Sequence, residues 1–293
     1  MTPRWNILYR GPLTSCNYAC GYCPFAKARM TAAELRDDAV KLERFVTWAA
    51  GRTERQLGVL FTPWGEALVH RNYQQAMLRL GDQPHVYRVA IQTNLSCSLD
   101  WLAAANRATV ALWCTYHPTE TKLEQFAAKI HRLQAMGIRH SVGVVGIREH
   151  FDGIAQLRDA LPTKTYMWIN AFKREADYYS DDDLRWLGSV DSLFHLNTIR
   201  HPSLGRPCEA GASSFTVDGD GIARRCHFVA APLGCVYEEG FSERLARAAA
   251  PCPNATCGCH IGYVYLRDLA LDRVFGEGIL DRVPLEKPAA EDH

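Results

Sequence analysis

The sequence predicts an α/β protein with a parallel sheet, followed by a small cysteine-rich module that contains a β-hairpin. Strand-like apolar runs alternate with amphipathic helical segments over about the first 170 residues, with short connections, which is typical of repeated β-α units. Beyond residue 200, Pro and Gly residues end this pattern, and cysteines flank two strand-like runs joined by an Asp-Gly turn.

Length and composition indicate an ordinary globular protein. The chain has 293 residues, of which 47% are hydrophobic and 22% charged, with a net charge of +1. It lacks a long basic run, a signal peptide and an apolar stretch of membrane-spanning length. We therefore expect a cytoplasmic protein with no nucleic-acid or membrane partner. Its 11 cysteines fit metal ligation better than a disulfide framework.

The predicted elements follow one another in β-α order. The first strand, residues 5–9, leads directly into a cysteine cluster. A helix over residues 31–50 begins with the capping box of Thr31 and Glu34 and ends at Gly51. Further strands are predicted at residues 56–62, 86–92, 109–115, 140–147 and 164–169, and further helices at residues 72–80, 100–106, 119–136 and 150–160.

Three cysteines lie close together directly after the first strand. Cys16, Cys20 and Cys23 have the spacing C-x3-C-x2-C. A disulfide joins only two cysteines, and a tetrahedral zinc site needs a fourth ligand that no nearby Cys or His supplies. Three thiolates with one open metal corner suit an iron-sulfur cluster better, because soft sulfur ligands select iron. A zinc knuckle and a chance cluster remain the alternatives.

This cluster, with the aromatic Tyr22 before its third cysteine, resembles the signature of the radical S-adenosylmethionine (SAM) enzymes. The resemblance implies a partial, open (β/α)6 barrel over residues 1–196. It also implies a [4Fe-4S] cluster held by Cys16, Cys20 and Cys23, whose fourth iron chelates SAM. One electron then cleaves SAM to methionine and a 5′-deoxyadenosyl radical.

Two further family motifs are matched at the ends of the second and third strands. Trp64-Gly65-Glu66 resembles the Gly-Gly-Glu-like motif that holds the amino group of SAM, with Trp in place of the first glycine. The pair Thr93-Asn94 resembles a pair that lies beside the active site in the family. An ordinary turn with a surface Glu, and an Asn that starts a turn, are the alternatives.

The fifth strand contains a partial match to the element that lies along the adenine in the family. Gly146-x-x-Glu149 is kept, whereas Val142 replaces the first glycine, and a buried strand is the alternative. The resemblance implies that Tyr22 lies beside the adenine. The residues predicted to bind SAM are Tyr22, Gly65, Glu66, Asn94, Thr115, Glu149 and Asn170.

No general acid or base is assigned from the sequence. Tyr116 and His117 are candidate catalytic residues only because they lie at the tip of the fourth strand, where barrel enzymes place their chemistry. A His before a Pro often serves only a turn.

The second cysteine cluster surrounds the predicted hairpin. The glycines in residues 218–221 allow the positive φ of a tight turn, so the hairpin brings Cys208 and Cys226 towards one another. Three more cysteines follow downstream, namely Cys252, Cys257 and Cys259. Four cysteines, or three with His260, could also bind structural zinc.

This cysteine arrangement resembles the auxiliary-cluster module of SPASM/twitch radical SAM enzymes, and the single-cluster twitch form fits it better. The resemblance implies a second [4Fe-4S] cluster within residues 197–276, held by Cys208, Cys226 and two of the three later cysteines. Residues 277–293 are expected to form a C-terminal tail, disordered from residue 286.

Three other cysteines are expected to be packed thiols, namely Cys97, Cys114 and Cys235. Residues 7–11, 23–27 and 252–260 are similar to those of a bacterial subgroup of radical SAM proteins of unassigned substrate.

The resemblance implies an oxidoreductase-like enzyme that abstracts hydrogen from a peptide or a small metabolite. The second cluster would accept an electron from the substrate or relay electrons from a flavodoxin or ferredoxin. The start of the first strand near Met1 favours a small substrate, or a peptide delivered by a separate protein. The alternatives are a sugar or aminocyclitol dehydrogenase and an activase or maturase of a partner protein. A non-catalytic iron-sulfur or zinc protein is more distant, because it requires accidental motif matches at Glu66 and Glu149.

Overall fold

The structure is a computed structural model that describes residues 4–25 and 28–286. Its strands are β1 (Arg4–Arg10), β2 (Gln56–Phe61), β3 (Val86–Thr93), β4 (Val110–Thr115), β5 (Arg139–Gly146), β6 (Met167–Ala171), β7 (His201–Pro202), β8 (Ser214–Asp218), β9 (Ile222–Arg224), β10 (Pro232–Cys235) and β11 (Thr256–Cys257). Its α-helices are α1 (Ala32–Ala50), α2 (Arg71–Gly81), α3 (Leu123–Met136), α4 (Phe151–Ala160), α5 (Asp181–Val190), α6 (Phe194–Thr198), α7 (Phe241–Arg247), α8 (His260–Tyr263) and α9 (Leu271–Phe275). Short 3-10 helices lie at Ala67–Val69, Asp100–Ala104, Arg148–His150, Arg267–Leu269 and Gly276–Gly278.

One mixed sheet organises the fold. Within the described part of the chain, nine strands form this sheet in the order β10-β9-β8-β1-β2-β3-β4-β5-β6. Strands β1 to β6 are parallel and neighbour one another in chain order. The predicted α/β class with a parallel sheet is therefore confirmed. None of the described helices is long and apolar enough to cross a membrane.

Local sequence signals determine several helix ends. Thr31 and Glu34 form the expected capping box of α1, with the Thr31 hydroxyl accepting from the Glu34 amide at 3.3 Å. Gly51 caps the other end of α1. Gly137 ends α3 with a φ of 70°, a conformation that favours glycine. The segment predicted as a helix over residues 100–106 is instead a 3-10 helix.

The predicted hairpin extends the main sheet. Strand β8 pairs in parallel with β1, so that Phe215 lies opposite Ile7, and β9 and β10 continue the sheet with antiparallel pairs. The boundary proposed near residue 197 therefore separates two segments that share one sheet.

Both faces of the central strands are buried. Ile7 and Tyr9 of β1 pack towards the helices, where the Tyr9 ring stacks on Phe45 of α1 at 4.2 Å. Leu8 points to the opposite face, which residues 261–280 of the C-terminal segment cover. Parallel strands covered on both faces need apolar residues at successive positions, as this sequence has.

Residues 278–284, which belong to the expected tail of residues 277–293, are packed in the fold. Leu280 and Asp281 are fully buried. The Asp281 carboxylate forms ion pairs with Arg139 at 2.5 Å and Arg88 at 3.7 Å, and its carbonyl accepts from the Ser141 hydroxyl at 2.7 Å. The expectation of a tail from residue 277 is corrected accordingly. The end predicted to be disordered lies, from residue 287, outside the described residues.

Candidate active site

A cavity of about 650 Å³ lies at the carboxyl ends of the parallel strands. This volume is in the range of small-molecule sites, and this edge is where barrel enzymes bind their substrates. The predicted site residues that line the cavity are Cys16, Cys20, Cys23, Gly65, Glu66, Asn94, Thr115, His117, Asn170 and Cys259. The fold therefore brings together residues that the sequence analysis identified in separate motifs.

The cysteine loop is held against the segment that follows β2. The Trp64 amide donates to the Leu13 carbonyl at 3.2 Å, and the Glu66 amide donates to the Ser15 carbonyl at 3.1 Å. A Cβ atom on Gly65 would lie 1.8 Å from the Ser15 oxygen, so this approach requires glycine. Gly65 thus fixes the position of the loop, in addition to lining the cavity.

None of the three cysteines of the loop is in a disulfide, and all three line the same cavity. Cys16 Sγ accepts from the Tyr18 amide and Cys23 Sγ from the Phe25 amide, each at 3.4 Å. Burial raises the pKa of Cys16 and raises that of Cys20 to about 11. A bound metal cation, such as iron, lowers the pKa of such thiols and favours their thiolate form. Three soft donors on one wall fit an iron-sulfur cluster with one open iron.

Glu66 is a buried carboxylate that connects the ends of β2 and β3. Its Oε1 accepts from the Leu68 amide at 3.1 Å and the Thr93 hydroxyl at 2.7 Å, and its Oε2 accepts from the Asn94 amide at 2.5 Å. Burial raises its pKa to about 7. A carboxylate accepts about four hydrogen bonds, so Glu66 keeps acceptor capacity for a donor in the cavity.

Polar side chains from several strands complete the walls. Asn94 Nδ2 donates to Asn17 Oδ1 at 3.0 Å and lies 3.8 Å from Cys16 Sγ. Thr115 at the end of β4 and Asn170 in β6 also line the cavity. These groups can hydrogen-bond a polar ligand held next to the cysteine loop.

His117 lies against the cysteine loop. Its Nδ1 is 2.9 Å from the Tyr22 hydroxyl and 3.3 Å from Cys20 Sγ. The rings of His117 and Tyr22 are stacked, with centroids 6.0 Å apart. Burial lowers the pKa of His117 to about 4, so its imidazole is neutral near pH 7. Tyr22 packs behind His117 and does not itself line the cavity.

Besides Tyr22, two other predicted residues of the SAM and catalytic sites do not line the cavity. Tyr116 is 4% exposed and packs on Phe126 of α3, with ring centroids 5.1 Å apart. Successive side chains of an extended chain point to opposite faces, so Tyr116 faces the helices because Thr115 and His117 face the cavity. Glu149 is exposed in the 3-10 helix after β5 and does not line the cavity.

Four of the five cysteines predicted as auxiliary ligands lie together. Cys208 is within electrostatic reach of Cys226 and Cys252, and Cys257 is within reach of the same two thiols and of Cys259. Burial raises the pKa of Cys257 to about 12 and also raises those of Cys208 and Cys226. Four free thiols of this kind suit a four-cysteine metal centre. A group of three His, Cys, Asp or Glu side chains arranged around one metal ion is not found among residues 4–25 and 28–286.

Hydrogen bonds to backbone carbonyls hold the loops that carry these four cysteines. The Cys252 amide donates to the Arg206 carbonyl at 2.9 Å. Arg225 donates from Nη1 to the Pro251 carbonyl at 2.7 Å and from Nε to the Ala210 carbonyl at 3.1 Å. Arg225 therefore joins the loop before Cys252 to the segment before β8.

Cys259 differs from the other four because its thiol faces the main cavity. The charged groups that act on it are Lys173, Arg10 and Arg282. Cys235 lies in β10, partly exposed and outside the four-cysteine group. Cys97 and Cys114, expected to be packed, are buried.

Several residues that line the cavity are not among those predicted from the sequence, namely Arg10, Gln92, Trp113, Trp168, His227 and Arg282. The period of two along a strand could have identified two of them, because Trp113 precedes Thr115, and Trp168 precedes Asn170, by two residues. These tryptophans form an edge-to-face pair with ring centroids 5.4 Å apart. Nothing in the sequence signals Arg282, which belongs to the segment expected to be a tail.

Comparison with known proteins gives a likeness of fold. The chain matches no protein-family model and no curated protein. It is similar to the solved structure of native anSMEcpe with bound AdoMet and Kp18Cys peptide, with 14% identity, 84% of this chain and 81% of that chain covered, and a TM-score of 0.56. For native anSMEcpe with bound AdoMet alone, the identity is 13%, the coverage 84% and 83%, and the TM-score 0.54. The chain therefore has the fold of anSMEcpe, which agrees with the α/β class that the sequence predicts.

Proposed function

We propose that the protein is a radical SAM enzyme, which cleaves S-adenosylmethionine reductively and abstracts a hydrogen atom from its substrate. The observation that carries this proposal is the convergence of Cys16, Cys20, Cys23, Glu66 and Asn94 on one cavity. Three thiols beside a buried carboxylate are the groups that a cluster and the ammonium group of SAM require. The fold that the chain shares with anSMEcpe, which was solved with AdoMet bound, supports the proposal.

Each group of residues has a distinct role in this proposal. The three cysteines of the loop would bind a [4Fe-4S] cluster, which with SAM supplies the radical chemistry. Glu66 would accept a hydrogen bond from the SAM ammonium group through its remaining acceptor capacity. Asn94, Thr115 and Asn170 would hydrogen-bond the polar parts of SAM. Gly65 keeps the cysteine loop at the required distance.

The aromatic side chains that line the cavity would make the reaction selective for one C-H bond of the substrate. A carbon radical abstracts any accessible hydrogen, so the protein must hold one C-H bond of the substrate in place and exclude water. Trp113 and Trp168 are each 4% exposed and form the floor of the cavity. His117 contacts the cysteine loop through the hydroxyl and the ring of Tyr22.

We propose that a second [4Fe-4S] cluster is bound by Cys208, Cys226, Cys252 and Cys257. Cys208 and Cys257 are each within electrostatic reach of both Cys226 and Cys252, which supports this ligand set. Cys259 is within reach of Cys257 but also lines the main cavity, which favours leaving it out. The cluster would transfer electrons between the substrate and a reductant such as flavodoxin or ferredoxin. Structural zinc is the competing occupant.

The substrate classes that we propose are a peptide and a small metabolite. The peptide class is supported by the fold of anSMEcpe, which was solved with a bound peptide. The small-metabolite class, which includes a sugar or aminocyclitol, is supported by the cavity volume of about 650 Å³. Candidate substrates of both classes can be added and the products identified. An oxidised peptide or metabolite would indicate substrate oxidation, whereas a modified partner protein would indicate an activase or maturase.

Anaerobic reconstitution with iron and sulfide tests the proposal. We expect about eight irons per chain in the wild type and about four in a Cys16→Ala, Cys20→Ala, Cys23→Ala triple variant. Only proteins with the complete loop should form 5′-deoxyadenosine from SAM under dithionite. Cys235→Ala is the matched control, because it removes a partly exposed thiol outside both groups and should behave as the wild type does.

Two results would contradict the proposal. A fully loaded and reduced wild type that forms no 5′-deoxyadenosine would exclude the radical reaction. Zinc in place of iron at the four-cysteine group would leave the first cluster possible and exclude the second.

A further inference from the structure

Arg282 is a buried cation at the floor of the cavity. Its side chain is fully enclosed, with the residue 2% exposed. Its guanidinium carbon Cζ lies 4.5 Å from the centroid of the Trp168 ring and 5.6 Å from that of the Trp113 ring. Arg282 also has a φ of 52°, a conformation that a non-glycine residue adopts at a cost and that is concentrated at functional sites.

This guanidinium lacks a counterion within the described part of the chain. Its Nε is buried without a hydrogen-bond partner, and no described carboxylate lies within ion-pair distance of it. Asp191, whose charge acts on it from further away, already accepts from the Tyr166 hydroxyl and the Ile169 amide, each at 2.8 Å. A buried unpaired cation is unfavourable, so an anion bound beside Arg282 would be strongly favoured.

Other cations lie on the same side of the cavity. Arg10 lines the cavity, and Lys173 acts together with Arg282 on the Cys259 thiol. Burial lowers the pKa of Arg10 to about 10 and that of Lys173 to about 8, so both are mostly charged near pH 7. Among the described residues, Glu66 is the only carboxylate that lines the cavity.

We propose that Arg282 binds an oxyanion, a carboxylate or phosphate group, of the substrate. The inference rests on the proposed function and adds the chemical class of the substrate to it. The planar guanidinium matches two oxygens of such a group, and its stacking on Trp168 and Trp113 fixes its orientation. Arg10 and Lys173 add positive potential that attracts anions into the cavity.

The substrate, and not SAM, is the partner that the geometry favours. The Glu66 amide donates to the Ser15 carbonyl at 3.1 Å, directly before Cys16, so the proposed ammonium site lies with the cysteine loop. Arg282 lies instead over Trp113, whose ring contacts His260 of the C-terminal segment with centroids 5.5 Å apart. SAM chelated at the cysteine loop therefore leaves Arg282 for the second molecule in the cavity.

Calorimetric titration of the reconstituted full chain tests this assignment. SAM is added to saturation first, and its own binding heat reports on the proposed function. Inorganic phosphate and, separately, acetate are then titrated as probes of the two anion classes. The variants are Arg282→Gln and Arg282→Lys, and Arg132→Gln is the matched control, because Arg132 pairs with Asp100 on the surface.

We expect at least one probe to bind the wild type and the control alike. Arg282→Gln should weaken this binding about tenfold or more, because a charge-assisted hydrogen bond is lost. Arg282→Lys should give an intermediate affinity, since lysine keeps the charge without the planar fork. The tighter probe identifies the substrate anion as a phosphate or a carboxylate.

The assignment is overturned if neither probe binds the SAM-loaded wild type, or if Arg282→Gln binds as tightly as the wild type. It is also overturned if a probe binds without SAM and is displaced by it, because Arg282 would then serve the SAM carboxylate. Absence of a SAM binding heat would refute the proposed function and, with it, this inference. If Arg282→Gln binds less iron than the wild type, two other measurements decide the assignment. The first is the anion affinity of Arg282→Lys. The second is the tryptophan fluorescence of the wild type, because an anion bound at Arg282 must change the emission of Trp168.

Discussion

Replacement of Gly65 by alanine tests how closely the cysteine loop depends on its neighbour. The added Cβ would lie 1.8 Å from the Ser15 oxygen and 2.5 Å from the Ser15 carbonyl carbon, whereas real Cβ contacts essentially never fall below 3.0 Å. One of the two backbones must therefore shift by about 1.2 Å. Because Ser15 directly precedes Cys16, the first cluster ligand should move with it.

The expected consequence is larger for cofactor binding than for stability. Overpacking of this kind costs about 1–3 kcal/mol of unfolding free energy, which a folded chain can tolerate. A shift of about 1 Å at a reacting group costs about a hundredfold in rate. We therefore expect Gly65→Ala to remain folded, to lose iron from the first cluster and to form 5′-deoxyadenosine about a hundredfold more slowly.

Gly21→Ala is the matched control for this experiment. Gly21 lies in the same loop, between Cys20 and Tyr22, and a Cβ there would meet no atom within 4 Å. Iron content, SAM affinity and 5′-deoxyadenosine formation are measured for both variants, and circular dichroism reports on folding. Equal behaviour of Gly65→Ala and Gly21→Ala would refute the argument that the Gly65 contact positions the loop.

Three further predictions concern other parts of the molecule. Cys208→Ala should lower the reconstituted iron content to about four per chain, whereas Cys259→Ala should keep about eight, as measured by iron analysis. Burial raises the pKa of Asp38 to about 6, so the native state binds this proton more tightly than the unfolded chain does. The unfolding free energy should therefore fall by roughly 2 kcal/mol as the pH rises from about 4 to 6. Urea titrations of Asp38→Asn should show no such fall, and a variant with the pH profile of the wild type would contradict the assignment. Leu280→Ala, at a fully buried position, should lower the unfolding free energy by roughly 2–5 kcal/mol. Leu285→Ala, at a residue 65% exposed, should change it by about 0.5 kcal/mol or less. A loss in Leu280→Ala as small as that in Leu285→Ala would show that residue 280 is not packed as described.

The parts of the fold that the sequence predicts depend on short-range physical signals. The capping box of α1 joins residues three positions apart, and Gly137 ends α3 by its own backbone freedom. Repeated apolar runs predict the parallel strands because each run must be buried on both faces. The cysteine loop is equally local, since its three thiols lie within eight residues. Such features are available from a single sequence.

The parts that the sequence analysis missed depend on contacts between distant residues. Asp281 can be buried because Arg139, 142 positions away in the sequence, neutralises its charge. No residue near position 281 in the sequence predicts this partner. Tyr116 was expected near the chemistry because it lies at a strand tip, yet the alternation of side chains directs it to the helices. Pairing of β8 with β1 likewise depends on register across the whole fold.

The C-terminal segment connects the stability of the sheet with the chemistry of the cavity. Asp281 and Arg282 are adjacent, but Asp281 pairs with Arg139 and Arg88, whereas Arg282 stacks on Trp168. The ion pairs of Asp281 therefore anchor the backbone from which Arg282 reaches the cavity. Because an unpaired buried guanidinium opposes folding, the packing around Leu280 and Asp281 must offset its cost until an anion binds. On this reasoning, ligand anions should stabilise the protein as well as occupy its cavity.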